Sequence, residues 1–178
     1  LKKLNFPIFV KPSNSGSSFG ISKVINESEI LQALEKAREI DSRIIIEEGL
    51  EVREIECGII GKSKLITSEI GEVKYESDWY DYDSKYHSNN KIIIPAEIDS
   101  KITKEIKEIA IKSCRALNIF GFARVDFFLE KSSNKILLNE INTIPGFTKN
   151  SMFPMLWKAS GLNIEQLVAK LVDISIDL

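Results

Sequence analysis

Two neighbouring runs of alternating apolar and polar residues constrain this chain more than anything else in it: Phe122-Ala-Arg-Val-Asp-Phe-Phe-Leu-Glu130 and Lys135-Ile-Leu-Leu-Asn-Glu-Ile-Asn142. Each reads as a β-strand. Lys131-Ser-Ser-Asn134 between them is turn chemistry, so the pair reads as an antiparallel hairpin. Side chains at i and i+2 of a strand share a face, which groups Arg124 with Asp126 and Glu140 with Asn142. Folding about the central Ser-Ser-Asn sets Asp126 opposite Glu140 and Arg124 opposite Asn142. Two carboxylates, an amide oxygen and a guanidinium then occupy one patch. Polar residues on facing strands are often just the wet side of a sheet. Here the surrounding residues Phe127, Phe128, Leu137 and Leu138 are large and apolar, and Thr143-Ile-Pro-Gly-Phe-Thr148 follows at once. A buried carboxylate pair is strongly unfavourable without a cation. Hard oxygen donors at this spacing suit magnesium held partly by the phosphates of a substrate.

The rest of the chain alternates short strands with amphipathic helices. Pro7-Ile-Phe-Val-Lys11 reads as a strand that delivers Lys11 at its end, and Pro12-Ser-Asn-Ser-Gly-Ser-Ser-Phe-Gly20 is a small, polar, glycine-containing loop before a second strand, 21–25. Asn26 with Glu29 predicts a capped helix to about residue 40, carrying Ile30, Leu31, Leu34 and Ala37 on its apolar stripe. Arg43-Ile-Ile-Ile-Glu-Glu-Gly49 is a third strand, and residues 52–71 continue as strands broken by a turn at Gly61-Lys62. Residues 72–91 are a polar, aromatic loop of a length that is usually functional. A helix capped by Ser100 follows, and after the hairpin Ser151 starts a short helix and Asn163 caps a last one. Antiparallel hairpins between helices argue an α+β fold with two unequal lobes meeting near Leu50.

Several function classes are excluded. A chain of 178 residues with net charge −2 has no basic footprint for nucleic acid, and no apolar run approaches a membrane span. Cys57 and Cys114 are far apart, one in a strand-like and one in a helix-like run, and read as buried thiols of a reducing compartment. His87 is the only histidine, so sites needing two are excluded, and Ser17, Ser18 and Ser151 have no histidine partner for a hydrolase triad. Gly58-Ile-Ile-Gly-Lys-Ser63 resembles a Walker loop but has two residues between its glycines instead of four, and reads as a turn.

Other candidate residues keep two readings each. Lys11 and its glycine loop are either a phosphate cradle or an ordinary hairpin loop. Glu47, Glu48 and Glu54 around Gly49 and Leu50 are either solvated charges at strand ends or a hinge presenting backbone groups to a nucleobase and a carboxylate to a ribose. Lys85 and Tyr86, among Trp79, Tyr80 and Tyr82, belong either to a lid over a ligand or to a loop packing its own aromatics.

Taken together, Val10-Lys-Pro-Ser-Asn-Ser-Gly-Ser-Ser-Phe-Gly20, Arg53-Glu-Ile-Glu56, Trp79-Tyr-Asp-Tyr-Asp-Ser-Lys-Tyr86, Ile94-Pro-Ala96, Ala123-Arg-Val-Asp-Phe-Phe128, Leu138-Asn-Glu-Ile-Asn-Thr-Ile-Pro-Gly-Phe-Thr148 and Ser151-Met-Phe-Pro154 resemble the ATP-grasp family, and closely its D-alanine–D-alanine ligase branch. The resemblance runs from Pro7 to Asp173. It implies an ATP-grasp fold with residues 1–50 as part of the smaller ATP-binding lobe and 51–178 as the larger one, ATP lying between two antiparallel lobes under a lid at 72–91. It implies that Lys11 holds the α/β-phosphates and Lys85 the γ-phosphate, and that Glu47, Glu48 and Leu50 form the adenine hinge. Glu54 would bind the ribose, and Ser18, Phe128 and Asn139 would complete the nucleotide site. Asp126, Glu140 and Asn142 would hold two magnesium ions, with manganese as the alternative metal. The implied reaction phosphorylates one D-alanine carboxylate and lets the amine of a second attack the acyl phosphate. Arg124 and the Gly146 N–H would stabilise the oxyanion, Ser151 and the Met152 backbone would hold the second carboxylate, and Ser17 would bond Tyr86 to tie loop to lid. By the same resemblance an N-terminal domain binding the first D-alanine is absent, along with the start of the smaller lobe, so the chain would not ligate alone. The whole enzyme would be a cytoplasmic homodimer in peptidoglycan synthesis. The alternatives are a D-alanine–D-serine ligase, another ATP-grasp carboxylate–amine ligase, and a non-catalytic nucleotide-binding module.

Overall fold

The computed structural model describes residues 4–16, 19–75 and 91–176. They build two compact units, one on Leu1–Glu51 and the other on Val52–Lys74 and Lys91–Leu178.

In the first unit, β1 (Ile8–Pro12), β2 (Ser22–Val24) and β3 (Ile44–Glu48) form an antiparallel sheet in the order β2-β1-β3. Alternation in β1 buries Ile8 and Val10 against Ala33 and Ala37 of α1 (Ile30–Arg38) and leaves Lys11 out of that core. Asn26 and Glu29 cap where the sequence implies, but the turn they open is a 3-10 turn. Asn26 caps a 3-10 turn, Glu27–Glu29, by accepting from the Ser28 N–H, while the Glu29 carboxylate accepts from the Ile25 N–H and the Asn26 amide. The α-helix therefore begins only at Ile30.

The second unit is a five-stranded antiparallel sheet in the order β6-β5-β4-β7-β8, built from β4 (Val52–Gly61), β5 (Leu65–Lys74), β6 (Lys91–Ile93), β7 (Gly121–Glu130) and β8 (Ile136–Asn142). Period-two alternation sorts its two faces. Ile55, Cys57, Ile59, Ala123, Val125, Phe127 and Leu129 meet Ile106, Ala110 and Cys114 of α2 (Ser100–Ala116). The intervening positions Ile60 and Phe122 meet Phe153 and Trp157 of α3 (Met152–Ala159) and Leu167 of α4 (Ile164–Ile176). The face carrying α3 and α4 is also the face of Glu54, Glu56, Arg124 and Asp126. The cap of α2 is Asp99, whose carboxylate accepts from the Lys101 N–H at 2.7 Å, one residue before the expected Ser100. Asn163 and Gln166 cap α4 reciprocally, each side-chain oxygen taking the other's backbone N–H at 2.8 and 3.0 Å.

Two glycines seat α3 on the sheet. A Cβ at Gly58 would lie 2.8 Å from the indole nitrogen of Trp157, and one at Gly71 would lie 2.8 Å from Leu156 Cδ2. Gly58 also faces an irregularity in which Ser68 and Glu69 of β5 oppose it alone. The N–H thereby displaced from the ladder donates to Ser68 Oγ at 2.8 Å, and that hydroxyl donates to the Glu69 carbonyl at 2.6 Å. This accounts for a buried serine in an apolar layer. Turn geometry at the end of β4 is equally specific: Gly61 has φ 131°, and its Cβ would meet the Lys64 carbonyl oxygen.

Two outcomes are expected. Gly58→Ala pushes a rigid indole and costs roughly 1–3 kcal/mol of stability in urea unfolding. An unchanged midpoint would mean that α3 does not lean on this glycine. For the thiols, burial pushes Cys57 from 9.0 up to about 12 and raises Cys114 as well. A raised thiol pKa favours the fold below pH 9.0 and loses that contribution as pH climbs towards about 12. At mildly alkaline pH both cysteines should resist iodoacetamide in the folded chain and alkylate once urea unfolds it. Rapid alkylation without denaturant would contradict the buried placement.

Candidate functional site

The β7–β8 hairpin pairs Arg124 with Asn142 and Asp126 with Glu140, the register the sequence implies, but for a reason it does not display. The connecting turn is Lys131–Asn134, with Glu130 N–H donating to the Lys135 carbonyl at 3.0 Å and Asn134 in the left-handed region at φ 57°. That turn alone would set Asp126 opposite Asn139. The pairing shifts by one residue between Phe127↔Leu138 and Asp126↔Glu140, leaving Asn139 as an extra residue on β8. Because a one-residue slip turns every following side chain to the opposite face, this bulge turns Glu140 and Asn142 towards Asp126.

Across the next ladder Asp126 pairs with Glu56, so Glu56, Asp126 and Glu140 form one row over β4, β7 and β8. Arg124 lies between them. Its Nε and Nη2 donate to the two Asp126 carboxylate oxygens at 2.7 Å each, and its Nε lies 2.9 Å from Glu56 Oε2. Asn142 Nδ2 donates to Asp126 Oδ2 at 2.9 Å and to Glu140 Oε1 at 3.2 Å. Asp126 and Glu56 are 8% and 9% exposed. Burial works to lower the Arg124 pKa but is outweighed by the Asp126 hydrogen bonds and the charges of Glu56, Asp126 and Glu140, so the guanidinium is held above its ordinary range. Contrary to the expectation from sequence, the buried carboxylates here do not require a metal for charge compensation. The chain supplies Arg124 as the compensating cation, and Glu140 is exposed.

Among the described residues no three His, Cys, Asp or Glu side chains converge as a complete metal cage. The donors available are the Asp126 and Glu140 carboxylates and the Asn142 amide. That set fits a hard cation that takes its remaining ligands from water and phosphate, as magnesium does, and does not fit a cation needing an all-protein shell.

The loop after β8 is fixed to the same face. Phe147 packs on Phe122 and Phe153 with ring centroids 6.3 and 5.9 Å apart, and Phe122 is two residues before Arg124. Pro145 is buried, and a Cβ at Gly146 would lie 3.0 Å from Ser151 Oγ. Ser151 does not cap α3 with its side chain. Its hydroxyl instead accepts from the Thr148 N–H at 3.0 Å and lies 2.8 Å from Thr148 Oγ1. Met152 and Phe153 are then the first residues of a helix whose third, Pro154, has no N–H to offer.

In the first unit the structure joins two of the expected residues directly: Lys11 Nζ lies 2.5 Å from Glu47 Oε1. Glu48 accepts from the Asn5 N–H and amide at 3.2 and 2.6 Å, so its carboxylate serves the strand start. Gly49 donates its N–H to the Pro7 carbonyl at 2.7 Å, which fixes the segment before half-exposed Leu50. The glycine loop is closed by Ser15 Oγ donating to the Phe19 carbonyl at 2.8 Å. Ser17 and Ser18 lie outside the described residues, as do Trp79, Tyr80, Tyr82, Lys85, Tyr86 and His87 of the expected lid. In the second unit Glu54 pairs with Phe128 on the face of the acidic row.

Sequence reasoning missed Glu56 as a site residue and, on the opposite face of β4, the Arg53–Glu72 pair. Arg53 donates from Nε and Nη2 to both oxygens of the buried Glu72 carboxylate at 2.7 Å, and these hydrogen bonds to Glu72 raise the arginine's pKa. Alternation along Arg53-Glu-Ile-Glu56 does place Glu54 and Glu56 on one face. The signal lost was which strand lies beside β4.

The family described as D-ala D-ala ligase C-terminus matches residues 1–173. A D-alanine--D-alanine ligase of Prochlorococcus marinus (strain MIT 9215) is 91% identical over the whole chain, which covers 50% of that protein. One from strain MIT 9515 is 76% identical over 99% of the chain and 50% of its own length. This chain therefore spans about half the length of the curated relatives it matches. Among solved structures, the VanG D-Ala:D-Ser ligase from Enterococcus faecalis superposes with a TM-score of 0.86 at 41% identity, over 96% of this chain and 50% of that one. The D-alanine-D-alanine ligase from Coxiella burnetii gives 0.84 at 35% identity, over 97% and 45%. Matched by ligases of the ATP-grasp fold, and by a family description covering nearly every residue, this chain belongs to the D-ala D-ala ligase C-terminus family.

Proposed function

We propose that the chain is the ATP-binding portion of a ligase that joins two D-alanines through an acyl phosphate, for peptidoglycan synthesis in the cytoplasm. The observation that carries this is the Glu56–Asp126–Glu140 row with Arg124 held inside it, on the sheet face to which Phe147 ties the Gly146 loop. Residues 1–50 belong to the smaller nucleotide lobe and 51–178 to the larger. Lys11 holds phosphate oxygens once Glu47 releases it, the segment from Glu47 to Leu50 borders the adenine, and Glu54 takes the ribose hydroxyls. Phe128 and Asn139 flank the nucleotide. From the lid, Lys85 reaches the γ-phosphate, and Tyr86 bonds Ser17 beside Ser18.

Asp126, Glu140 and Asn142 would hold two magnesium ions, which when bound would screen the phosphate charge and polarise its oxygens. Arg124 is compensated against desolvation by two carboxylates, so it meets a developing oxyanion without reorganising. The Gly146 N–H aims at the same oxygen. Ser151 exchanges its Thr148 partner for the carboxylate of the second amino acid, which the first amides of α3 also attract. D-alanine is the acceptor in this reading, as in the named activity of the 91% identical relative. The D-Ala:D-Ser ligase among the solved neighbours makes D-serine the competitor to test against. The complete enzyme works as a homodimer, and this chain does not form the dipeptide unaided.

Calorimetric titration of the chain with ATP should show binding that strengthens with magnesium, and Glu140→Gln should remove most of the magnesium dependence. Affinity indifferent to both would remove the metal from this patch. A second test uses the chain fused behind the other half of the Prochlorococcus marinus (strain MIT 9215) relative. There Glu56→Gln loosens Arg124 while Asp126 still holds it, so turnover should fall roughly ten- to a hundredfold with ATP binding preserved. Arg124→Ala in the same fusion should cost on the order of 10²–10³ in kcat. Unimpaired dipeptide formation in the Arg124 variant would exclude it from the oxyanion site.

A further inference from the structure

The glycine-containing loop after β1 is held at both ends by Ile40 and Asp41, the two residues just past the end of α1. Leaving β1, the chain keeps one more rung of its ladder with β3 beyond Pro12↔Ile44: the Ser13 N–H donates to the Arg43 carbonyl at 2.9 Å. On the next rung the acceptor is a side chain. The Asn14 N–H donates to Asp41 Oδ2 at 2.8 Å, while Asp41 Oδ1 accepts from the Arg43 N–H at 3.0 Å in an Asx turn. At the far end of the loop Gly20 is buried at φ 80°, and a Cβ there would collide with Ile40 Cδ1 and lie 3.3 Å from Pro12 Cγ. Entry and exit of the loop are thus set by one turn of chain. The helix itself gives no reason for an acid at this place. The Asp41 N–H donates to the Ala37 carbonyl at 3.1 Å, so the carboxylate stands at the negative end of α1, where it is unfavourable. Hydrogen bonding from the Arg43 N–H lowers its pKa, desolvation opposes that, and the Asn14 N–H lowers it further, so the group that holds Asn14 is an anion at neutral pH.

We propose that Asp41 is a positioning residue for the nucleotide: by holding the Asn14 N–H it fixes the chain just beyond Lys11 and so sets the affinity of the loop for the phosphates of ATP. The inference rests on the proposed reading of Lys11 and its loop as a phosphate cradle. A segment rich in serine and glycine has many conformations to lose, and a loop ordered before its ligand arrives spares the ligand that cost. Asp41 acts through Asn14 and touches no phosphate. A carboxylate turned towards the phosphates would repel them, and here both of its oxygens are occupied by backbone N–H groups. Its effect therefore falls on ATP binding and leaves the chemical step to Arg124 and Gly146 of the other unit.

The test uses Asp41→Ala and Asp41→Asn, in this chain and in its fusion behind the other half of the Prochlorococcus marinus (strain MIT 9215) relative. Hydrogen exchange of the Asn14 amide, read by NMR, follows the anchor, and calorimetry with ATP and magnesium follows its use. Asp41→Ala should speed that exchange about tenfold and weaken ATP about five- to tenfold, with the urea midpoint little changed. Asp41→Asn keeps one acceptor oxygen and should recover part of both losses. In the fusion, KM for ATP should rise by the same factor while kcat and the KM for D-alanine stay within about twofold. A merely structural role would instead lower kcat and the urea midpoint together. Unchanged ATP affinity in Asp41→Ala, or a kcat that falls as far as kcat/KM, would overturn the role of Asp41. Absence of ATP binding by both unsubstituted proteins would sink the nucleotide reading and this role with it, a result distinct from binding that ignores Asp41.

Discussion

A single guanidinium organises the larger sheet. Arg124 is in contact with Asp126 on its own strand and with Glu56 on the neighbouring one, and Asn142 reaches Asp126 from the other side. Three strands are thereby held in register by charge on a face that, further along, is held by Phe122, Phe153 and Trp157. Removing one member of a buried ion pair generally costs more than forming it gains. The ensemble is stable as a set and fragile by parts, which is the behaviour expected of a preorganised electrostatic site.

Packing fixes the remaining coordinates of that site. The short α3 could not lie against β4 and β5 if Gly58 and Gly71 carried side chains, and Ser68 compensates the backbone irregularity that the close approach brings. The loop from Thr143 to Ser151 hangs between β8 and α3, so its position inherits the precision of both. The placement of Gly146 thus depends on glycines far earlier in the chain, through helix packing alone.

Much of this was legible in the residues. Alternation identified the hairpin strands, the polar turn closed them, and the isolated cysteines proved to be buried thiols. Asn163 capped its helix as its neighbour Gln166 suggests. What escaped notice has a common physical character. Glu56 belongs to the site because β4 is the central strand beside β7, and strand order is a non-local property that no period of two reveals. Asp99 rather than Ser100 caps α2 because both are good caps and only the backbone turn decides. The compensation of Asp126 by Arg124 was hidden because alternation places the two on one face without revealing that they bond to each other.

The extra residue in β8 has a consequence for how such hairpins change over time. Strand chemistry obeys parity: odd and even positions see different worlds, and Asn139 is the residue that reverses the count between the turn and Glu140. Insertions or deletions of a single residue between Lys131 and Asn139 would exchange the two worlds, presenting Ile141 to the side of Asp126 and Glu140 to the apolar side, unless a second such event restored the count. Length variation in this hairpin is therefore expected to arrive in pairs, a constraint written in arithmetic and indifferent to which amino acids are involved.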